Sequence, residues 1–382
     1  MSTAHLPVAI IGAGPVGATV AALCSACGLD IALFEAREGA ATDARTLALS
    51  HASAALLENA GAWPQESTTA ITSIHISQKG GPGRTLLEAS EMALPALGYT
   101  VSYASLEDSL AARLRDAAIP IRYGAACREI SLDAQGATVR FASGEQARAR
   151  LLVLADGGAN ASRIPGIAFS EKDYAQQAVI GLVATDRPHA GRAYERFTPQ
   201  GPLALLPVEG RYALVWTATP REAQRLLALD EPQFLRELQE HFGDRAGRFT
   251  EVAKRASFPL KLRTVNTPIA LRTAIVGNAA QALHPIAGQG LNLGLRDAAS
   301  LAAVISSLPR ESVGDAAMLS AYRESRRRDA ARGVAFTDFL VGAFADAHRI
   351  PTWGRGLALA ALDLFPPARR ALASRMIHGA AR

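Results

Sequence analysis

Apolar residues near the start of the chain come in short continuous runs separated by a stretch of helical spacing. Residues Pro7 to Ile11 and Ile31 to Phe34 are apolar and rich in branched side chains, as is typical of buried parallel strands. A helix that closes at Gly28 is predicted between them, where small and apolar residues recur. The order strand, helix, strand predicts an open α/β sheet in this part of the chain.

A glycine-rich turn joins the first strand to the helix. It reads GAGPVG over residues 12–17, and Glu35 follows the second strand, 18 residues after Gly17. In this context the motif is the fingerprint of a dinucleotide-binding fold, in which the second glycine, Gly14, lets a pyrophosphate approach the backbone. Glu35 would accept hydrogen bonds from the adenosine ribose. The motif leaves open whether the dinucleotide is NAD or FAD.

A second glycine-rich segment covers residues 275–297 and reads IVGNAAQALHPIAGQGLNLGLRD. An apolar strand that begins at Thr273 leads into the turn Gly277-Asn278, and helical spacing begins near Gly290. Because the first turn of this helix is rich in glycine, its backbone N–H groups and positive dipole end would be open to a ligand.

A third apolar run, Leu151 to Ala155, ends at Asp156 and Gly157. An acid at the carboxyl end of a parallel strand lies where open α/β sheets place ligand contacts, although Asp156 is also a common turn former. We expect this run and the two glycine-rich segments to meet around one elongated ligand. Just upstream, residues 128–150 have the pattern of a three-stranded meander that leads into this run.

Residues 174–265 have a different pattern, in which short strand-like runs follow one another before two helical stretches. This succession predicts a mainly antiparallel sheet that forms a second domain inserted into the first. Two smaller predictions concern the chain upstream of it. His75 lies on a hairpin and is expected at the surface, and Ser105 is the predicted cap of a helix that ends near Ala117.

The last 60 residues carry most of the positive charge. Residues 323–382 contain 11 Arg and five acidic residues, whereas the whole chain has a net charge of +5. An apolar run from Trp353 to Phe365 is followed by a basic amphipathic segment from Ala368 to His378. Such a segment would lie on an anionic membrane, dock on a partner or pack on the protein with its arginines in solvent. No basic surface interleaved with aromatic residues is apparent, which disfavours nucleic-acid binding.

Length and composition suit a soluble two-domain enzyme, with 382 residues of which 49% are hydrophobic and 20% charged. The three cysteines, Cys24, Cys27 and Cys127, are too few for a disulfide framework and indicate a reducing cytoplasmic compartment. Cys24 and Cys27 fall on the predicted helix without a second ligand pair, so we expect packed side chains and no metal site.

The uncharged stretch from Leu6 to Leu29 is 24 residues long, enough to span a bilayer. It contains several glycines and prolines, and no Lys or Arg precedes it. It therefore fits neither a signal peptide nor a transmembrane helix.

Taken together, the motifs resemble those of the FAD-dependent aromatic hydroxylases. The likeness is closest to the 2-polyprenyl-6-methoxyphenol hydroxylase branch of ubiquinone biosynthesis. The wider family has Gly-Asp and a later His where this chain has Asn278 and Gln281; Asn278 can still accept the hydrogen bond that the family's Asp takes from the ribityl chain of FAD. The segments that carry the likeness are GAGPVG (12–17), Glu35, ADGGANASR (155–163), RAYERF (192–197), GPLALLP (201–207) and GNAAQALHPIAGQGLNLGLRD (277–297).

The resemblance implies an α/β fold with an FAD-binding Rossmann-like domain, an inserted, mainly antiparallel β-sheet substrate domain and a C-terminal helical region. The division that we predict assigns residues 1–70, 101–172 and 266–335 to the FAD-binding domain, 71–100 and 173–265 to the substrate domain, and 336–382 to the C-terminal region.

The activity implied by the resemblance is hydroxylation of the aromatic ring of a polyprenyl (6-methoxy)phenol. NAD(P)H, the reductant of most relatives, would reduce FAD, and O2 would then form a flavin hydroperoxide that the phenol attacks. His284 and Pro285 would be catalytic at the substrate side of the flavin, unless His284 is simply a packed, hydrogen-bonded residue. Arg45 is either a phosphate partner or a solvated charge. The residues predicted to bind FAD are Gly12, Gly14, Pro15, Val16, Gly17, Glu35, Arg45, Cys127, Asp156, Gly157, Asn278, Pro285, Gly288, Gln289, Gly290, Leu291 and Asn292.

Other functions fit part of the pattern. An FAD-dependent reductase or dehydrogenase of an isoprenoid or aromatic substrate would share the first motif, and a non-catalytic FAD-fold subunit of a biosynthetic complex would explain Asn278. An NAD enzyme would leave Asp156 and the second glycine-rich segment without a role. The expected partners are the phenol and O2. The resemblance leaves open a ubiquinone-biosynthesis complex, a homo-oligomer, and peripheral contact of the C-terminal region with the inner face of the membrane.

Overall fold

The structure is a computed structural model that describes residues 5–25, 27–39, 43, 45–81, 83–345 and 352–379. Positions 1–4, 346–351 and 380–382, which belong to the outer parts of the predicted domains, lie outside the described residues. The strands are β1 (His5–Ile11), β2 (Ile31–Phe34), β3 (Thr46–Ser50), β4 (Thr68–Ile71), β5 (Ser73–Gln78), β6 (Arg84–Glu88), β7 (Gly98–Ser102), β8 (Ile121–Arg122), β9 (Cys127–Asp133), β10 (Gly136–Phe141), β11 (Gln146–Leu154), β12 (Phe169–Thr185), β13 (Arg192–Thr198), β14 (Gly201–Val208), β15 (Arg211–Ala218), β16 (Phe249–Val265), β17 (Ile269–Ala270), β18 (Thr273–Ile275) and β19 (Gln281–Ala282).

The helices cover the faces of the sheets or follow them at the carboxyl end of the chain. They are α1 (Pro15–Ser25), α2 (His51–Asn59), α3 (Tyr103–Asp116), α4 (Pro220–Ala228), α5 (Glu231–Phe242), α6 (Gln289–Ser306), α7 (Ala316–Ala345), α8 (Thr352–Leu364) and α9 (Pro366–His378).

The first sheet has the strand order β17-β18-β11-β1-β2-β8, and the hairpin of β9 and β10 continues from β11. The four central pairs, from β18 to β8, are parallel. Its strands are apolar on both sides because both faces are covered. One face buries Ile10 and Val153 against α1, α3 and α6. The other lies under the β9–β10 hairpin, where the rings of Phe34 and Phe141 stack with their centroids 4.6 Å apart.

The second sheet has the order β19-β16-β12-β15-β14-β13-β5-β6. All of its pairs are antiparallel except β13–β5. One face buries Leu203, Leu214 and Trp216 against α4 and α5, and the opposite face lines a large cavity. The predicted fold class is thereby confirmed: a Rossmann-like sheet, an inserted and mainly antiparallel sheet, and a helical region at the carboxyl end.

A third sheet has three antiparallel strands in the order β3-β7-β4. The domain boundaries stay a prediction. Strand β12 runs through the boundary proposed at residues 172–173, and helix α7 runs through the one at 335–336.

Three local predictions differ from the structure. The cap of α3 is Ser102, whose hydroxyl accepts a hydrogen bond from the backbone N–H of Ser105 at 3.0 Å. The predicted Ser105 cap is wrong because Ser105 already lies within the helix, whereas Ser102 has the extended backbone that a cap requires. The three-stranded meander is confirmed as β9, β10 and β11, but its third strand and the following apolar run form one continuous strand, because residues 146–154 keep a single extended register beside β1 and β10. Strand β16 has no counterpart in the sequence analysis.

The prediction of an exposed His75 is also wrong. The residue is 8% exposed, because β5 lies between β13 and β6 and the imidazole packs against the ring of Tyr194. Burial, together with nearby Arg245 and Arg84, lowers the pKa of His75 to about 4. Its ring is therefore neutral at pH 7.

The C-terminal helices pack on the protein. Helix α8 contacts β5 and β6, and α9 contacts α2 and β6. Ala373 and Ile377 of α9 are buried, and Arg369 pairs with Glu91 at 2.5 Å. Of the helices in the described ranges, not one combines the length and the apolar character that a bilayer crossing requires.

Candidate active site

The carboxyl ends of four parallel strands bring the predicted ligand segments together. Ile11 of β1 is in register with Phe34 of β2 and with Leu154 of β11, and Leu154 is in register with Ile275 of β18. The segments that follow these strand ends contain the first glycine motif after β1, Glu35 after β2, Asp156 after β11 and the Gly277-Asn278 turn after β18. Segments far apart in sequence therefore lie side by side at one edge of the sheet, where open α/β folds bind ligands.

A cavity of about 1150 Å³ extends from this edge to the second sheet and to the C-terminal helices. All but one of the predicted site residues line it. Those that do are Gly12, Gly14, Pro15, Val16, Glu35, Arg45, Cys127, Asp156, Gly157, Asn278, His284, Pro285, Gly288, Gln289, Gly290, Leu291 and Asn292. The exception is Gly17, which packs inside the first domain.

The three glycines of the first motif occupy different surroundings. A Cβ on Gly12, whose φ is +100°, would lie 2.6 Å from the carbonyl oxygen of Ala155, and one on Gly17 would lie 2.1 Å from that of Gly12. Both positions therefore need glycine so that helix α1 can approach the sheet. A Cβ on Gly14 would meet only the hydroxyl of Tyr103, at 3.5 Å. The backbone at Gly14 is thus bare towards the cavity.

Glu35 is held by the turn and by a neighbouring arginine. Its carboxylate accepts hydrogen bonds from the backbone N–H of Ala13 at 2.9 Å and from the guanidinium of Arg37 at 3.0 Å. Arg37 also pairs with Glu107 at 2.8 Å. Burial raises the pKa of Glu35, but the hydrogen bonds from Arg37 and Ala13 outweigh it and hold that pKa below its usual value. Sequence analysis missed Arg37, although its place two residues after the acid is a usable signal.

Arg45 does not face the cavity as a free charge. Its guanidinium pairs with Asp43 at 2.6 Å and lies 5.7 Å from the centroid of the Tyr103 ring. A phosphate contact by Arg45 stays a prediction, and a ligand would have to share this cation with Asp43.

The carboxylate of Asp156 accepts hydrogen bonds from the turn that follows it in the chain. One carboxylate oxygen accepts from the N–H of Gly158 at 2.9 Å, and the other accepts from the backbone and side chain of Asn160. These are the contacts of a turn former. Cys127 lies nearby in the cavity wall, and burial raises the pKa of its thiol, so the thiol is neutral at pH 7.

The Gly277-Asn278 turn is fixed from behind. Buried Asp297 of α6 accepts hydrogen bonds from the N–H of Gly277 at 2.9 Å and from the side chain of Gln281 at 2.5 Å. Its other oxygen accepts from Arg326 at 2.7 Å. The side chain of Asn278 is exposed and makes no hydrogen bond to any residue that the structure describes. The turn is rigid, and its amide is available to a ligand.

The amino end of α6 opens into the cavity. Gly288, with φ +60°, precedes the helix, and no side chain caps the first turn. A Cβ on Gly290 would find no atom within 4 Å. The side chain of Asn292 is engaged elsewhere, because it accepts from the N–H of Ser50 and donates to the carbonyls of Ala48 and Gly288. The side chain of Asn292 therefore fixes β3 against α6.

His284 is buried and neutral at pH 7. Its Nδ1 accepts a hydrogen bond from the N–H of Ile286 at 3.1 Å, so the ring proton resides on Nε2. Burial lowers its pKa to about 4. These contacts favour the packed, hydrogen-bonded interpretation, and the catalytic assignment of His284 and Pro285 stays a prediction.

Residues 5–337 match the family described as FAD binding domain. The chain belongs to this family. The ubiquinone hydroxylase UbiL of Rhodospirillum rubrum is 34% identical over 375 residues, covering 95% of this chain and 87% of that protein. The 3-demethoxyubiquinol 3-hydroxylase of Escherichia coli is 30% identical over 316 residues, covering 80% and 81%. In fold, the chain is similar to p-nitrophenol 4-monooxygenase PnpA of Pseudomonas putida, with a TM-score of 0.78, 19% identity and 99% of each chain covered. The predicted recognition and enzyme class, an FAD-dependent aromatic monooxygenase, are confirmed.

The residues present fit FAD. The bare backbone at Gly14 and Gly290 leaves room that side chains would fill, and the exposed amide of Asn278 lines the same cavity. Glu35 remains ionised at neutral pH, although a ribose would share it with Arg37. These groups supply neutral donors, a dipole end and one acceptor acid, which suit a pyrophosphate joined to polar sugars.

Proposed function

We propose that the chain hydroxylates the aromatic ring of a polyprenyl (6-methoxy)phenol in ubiquinone biosynthesis, with FAD as cofactor, O2 as oxidant and NAD(P)H as reductant. The observation that carries the proposal is the shape of the cavity. One continuous space joins the glycine-rich edge of the first sheet to an apolar face of the second sheet and to the C-terminal helices. A cofactor, a ring and a long apolar tail can share such a space.

The apolar face of the second sheet would hold the ring. Side chains such as Leu206, Val215 and Phe258 line the cavity there. They would orient the ring by packing and exclude water from the reacting atoms. FAD, when bound, supplies the activation of O2 and the transfer of one oxygen atom to the ring.

The amino end of α6 would stabilise negative charge on the cofactor. No side chain caps its backbone N–H groups from Gln289 to Leu291, which belong to cavity-lining residues, whereas the N–H of Gly288 donates to the carbonyl of Pro285. A helix terminus contributes about 0.3–1 kcal/mol to a nearby anion, up to about 2 kcal/mol when partly buried. Hydrogen bonds from the N–H groups would add to this.

The C-terminal helices would receive the prenyl tail. Phe339, Leu362 and Met376 line the cavity between α7, α8 and α9. Trp353, Leu364 and Phe365 stand on the outside of the same helices and are exposed. We extend the proposal to peripheral contact between this outer surface and an anionic membrane, from which a lipid-tailed phenol would enter.

The test is the absorbance spectrum of the purified protein, repeated anaerobically with NADPH, with and without a short-chain 6-methoxyphenol. Flavin bands whose bleaching the phenol accelerates, followed by ¹⁸O incorporation from ¹⁸O2 into the phenol, would support the proposal. Reduction without oxygen incorporation would indicate a reductase or dehydrogenase. Failure to bind FAD, even after reconstitution, would contradict the proposal and indicate a non-catalytic subunit.

A further inference from the structure

The second sheet has one face that lines the cavity, and four neighbouring strands of the sheet carry a single charged side chain on that face. Strands β5, β13, β14 and β15 are described completely, and Glu195 is their only charged residue that lines the cavity. Because side chains alternate along a strand, Ala193 and Phe197 share its face, while Arg192 and Arg196 project to the opposite face. Arg196 donates there to the carbonyl of His241 on α5.

Glu195 has no partner in the described protein. No hydrogen bond or ion pair joins its carboxylate to any described residue, and its neighbours across the sheet are Ile76 of β5 and Ala204 of β14. A carboxylate among apolar side chains loses solvation without compensation, which favours its protonated form. Burial accordingly raises the pKa of Glu195 to about 7. A destabilising group of this kind is typical of a site that receives a polar ligand atom.

Glu195 also lies close to the segment at the amino end of α6. Its cross-strand neighbour Ile76 and its same-face neighbour Phe197 belong to one packed cluster with Ile286. Residues two apart on a strand are about 6.5–7 Å apart. Glu195 and Pro285 line the same cavity, and two neighbours of Glu195 belong to the cluster that contains Ile286.

We propose that Glu195 is the base that accepts the proton of a ring hydroxyl of the phenol substrate. The assignment rests on the proposed function. The O–H bond of the phenol breaks, a new O–H bond forms on the carboxylate, and the electron pair stays on the phenolate oxygen. That negative charge increases electron density at the ring carbons ortho and para to it, where oxygen is transferred. The hydroxylated carbon then releases its own proton to solvent as the ring regains aromaticity, and Glu195 returns its proton to the product oxygen.

His284 is poorly suited to this role. Its Nδ1 is occupied by the N–H of Ile286, and its Nε2 already carries the ring proton. Protonation of the buried ring is unfavourable, as its pKa of about 4 shows. Glu195, with a free carboxylate and a pKa near 7, can take a proton at neutral pH.

Within the described part of the chain no charged group compensates Glu195, and burial is the cause of its raised pKa. Packed against it on β5 and β14 are Ile76 and Ala204, and α7 presents Phe336 and Phe339. The other Asp, Glu, Lys, Arg and His residues that line the cavity belong to the FAD edge, to the α6 segment and to strands β12 and β16. They are Glu35, Arg37, Asp43, Arg45, Asp156, Glu171, Lys254, Lys261, Arg263 and His284.

The experiment compares Glu195→Gln, Glu195→Asp and wild type in ¹⁸O-labelled product formation, NAD(P)H oxidation and H2O2 release. Glu195→Gln should retain FAD and oxidise NAD(P)H, because it leaves the cofactor edge untouched. Its product formation should fall about 10²-fold or more, the usual contribution of a general base, with H2O2 formed instead. The wild-type rate should rise with pH through about 7; Glu195→Asp should keep this dependence and Glu195→Gln should lose it.

A ring-fluorinated phenol separates a base from a merely structural residue. Such a phenol ionises in mildly alkaline buffer without help, so the difference between Glu195→Gln and wild type should shrink towards unity. The control is Glu251→Gln. Glu251 is an exposed residue of β16 that pairs with Arg211 of β15, so this variant should behave as wild type with both phenols.

The outcomes distinguish the two proposals. If wild type incorporates oxygen, and Glu195→Gln does so within twofold and with the same pH dependence, the role of Glu195 is overturned and the proposed function stands. A Glu195→Gln deficit that is equal for the normal and fluorinated phenols also overturns that role. A wild type that binds FAD but never incorporates oxygen overturns the proposed function and this inference with it.

Discussion

A methyl group would have different consequences at Gly14 and Gly17, although the two glycines are three residues apart. At Gly17 it would collide with the backbone of Gly12, so the helix could not pack on the sheet. At Gly14 it would meet only the hydroxyl of Tyr103 at an ordinary contact distance and project into the cavity. One glycine is needed for the fold, and the other is free for a ligand.

Substitution Gly14→Val should therefore abolish FAD retention while the protein still folds, because the side chain occupies the space proposed for the pyrophosphate. The measurement is the flavin-to-protein absorbance ratio, with thermal unfolding of the reconstituted apoproteins. Gly39→Val is the control, since a Cβ there finds no atom within 4 Å and lies outside the cavity. Stoichiometric FAD in Gly14→Val would show that the pyrophosphate lies elsewhere.

Glu195 should cost stability in alkaline solution. Its pKa is about 7 in the folded protein and near 4.5 in an unfolded chain, so the folded state binds the proton more tightly. Wild type therefore loses stability as pH rises between these values, whereas Glu195→Gln has no such group. Because the carboxylate faces an open cavity, we expect the variant to be more stable by only about 1–2 kcal/mol at pH 8 and nearly equal at pH 4.5.

The melting temperatures of the two apoproteins at pH 4.5 and pH 8 measure this difference. His284, whose pKa is lowered, makes both proteins less stable as pH falls from about 6.5 towards 4, and this effect cancels in the comparison. A Glu195→Gln variant that is no more stable than wild type at pH 8 would contradict the expectation.

The sequence predicted residues whose role is local. Gly12, Gly17 and the ionised Glu35 follow from a motif in which neighbours along the chain are also neighbours in space. Glu195 was missed because its importance depends on strands β5 and β14 and on the segment after Pro285. One signal was present: in the alternating run RAYERF, a glutamate shares a face with an alanine and a phenylalanine.

At the scale of secondary-structure elements, a buried network of ion pairs joins helices α6 and α7. Asp297 and Asp329 both pair with Arg326, at 2.7 and 2.8 Å, and Asp329 also pairs with Arg296. Burial raises the pKa of Asp297, whereas Arg326 and the N–H of Gly277 lower it. Since Asp297 also holds the Gly277 turn, the network connects the stability of the helices to the position of the ligand edge.

Removing the central cation should be costly. Arg326→Met leaves two buried carboxylates short of a partner, for which the expected loss is about 3–5 kcal/mol of unfolding free energy. Arg327→Met is a matched control at the adjacent position, where the arginine is exposed and pairs with Glu324; it should change stability by no more than about 0.5 kcal/mol.

Urea unfolding of both variants, together with their FAD content, provides the measurement. Equal stability of the Arg326→Met and Arg327→Met proteins would show that the network contributes little.

Sequence patterns predicted elements well where burial is uniform or alternation is regular. Strand β2 has the predicted bounds, and the two helical stretches predicted after the strand-like runs are α4 and α5. Strand β16 was missed because charged residues such as Lys254, Arg255 and Lys261 interrupt its alternation and the pairing register shifts along it. Its extended conformation depends on pairing with β12, which no local pattern encodes.

At the scale of the whole molecule, the C-terminal helices have two different surfaces. The inner surface closes the cavity, and the outer one exposes Leu364 at 83% and Phe365 at 60%. Exposed large apolar side chains beside basic residues are the composition expected of a surface that contacts an anionic bilayer.

The double variant Leu364→Glu, Phe365→Glu should lose co-sedimentation with anionic phospholipid vesicles, and binding of wild type should weaken in high salt. Leu271→Glu, an exposed leucine in the turn between β17 and β18, is the control and should bind as wild type does. Undiminished binding of the double variant would place any membrane contact elsewhere.

Strands β12 and β16 have a mechanical consequence for the whole enzyme. Each has 17 residues, so the pair forms a ribbon about 55 Å long that begins beside the first sheet and continues through the second. A two-stranded, hydrogen-bonded ribbon resists bending more than a single loop does. Its register shifts near residues 173–176 and 180–182 interrupt the pairing, so the ribbon bends there most easily. We infer that the two sheets bend slightly relative to each other and do not separate by a hinge motion. Under the proposed function, entry and release of the substrate would then depend on movement of the C-terminal helices.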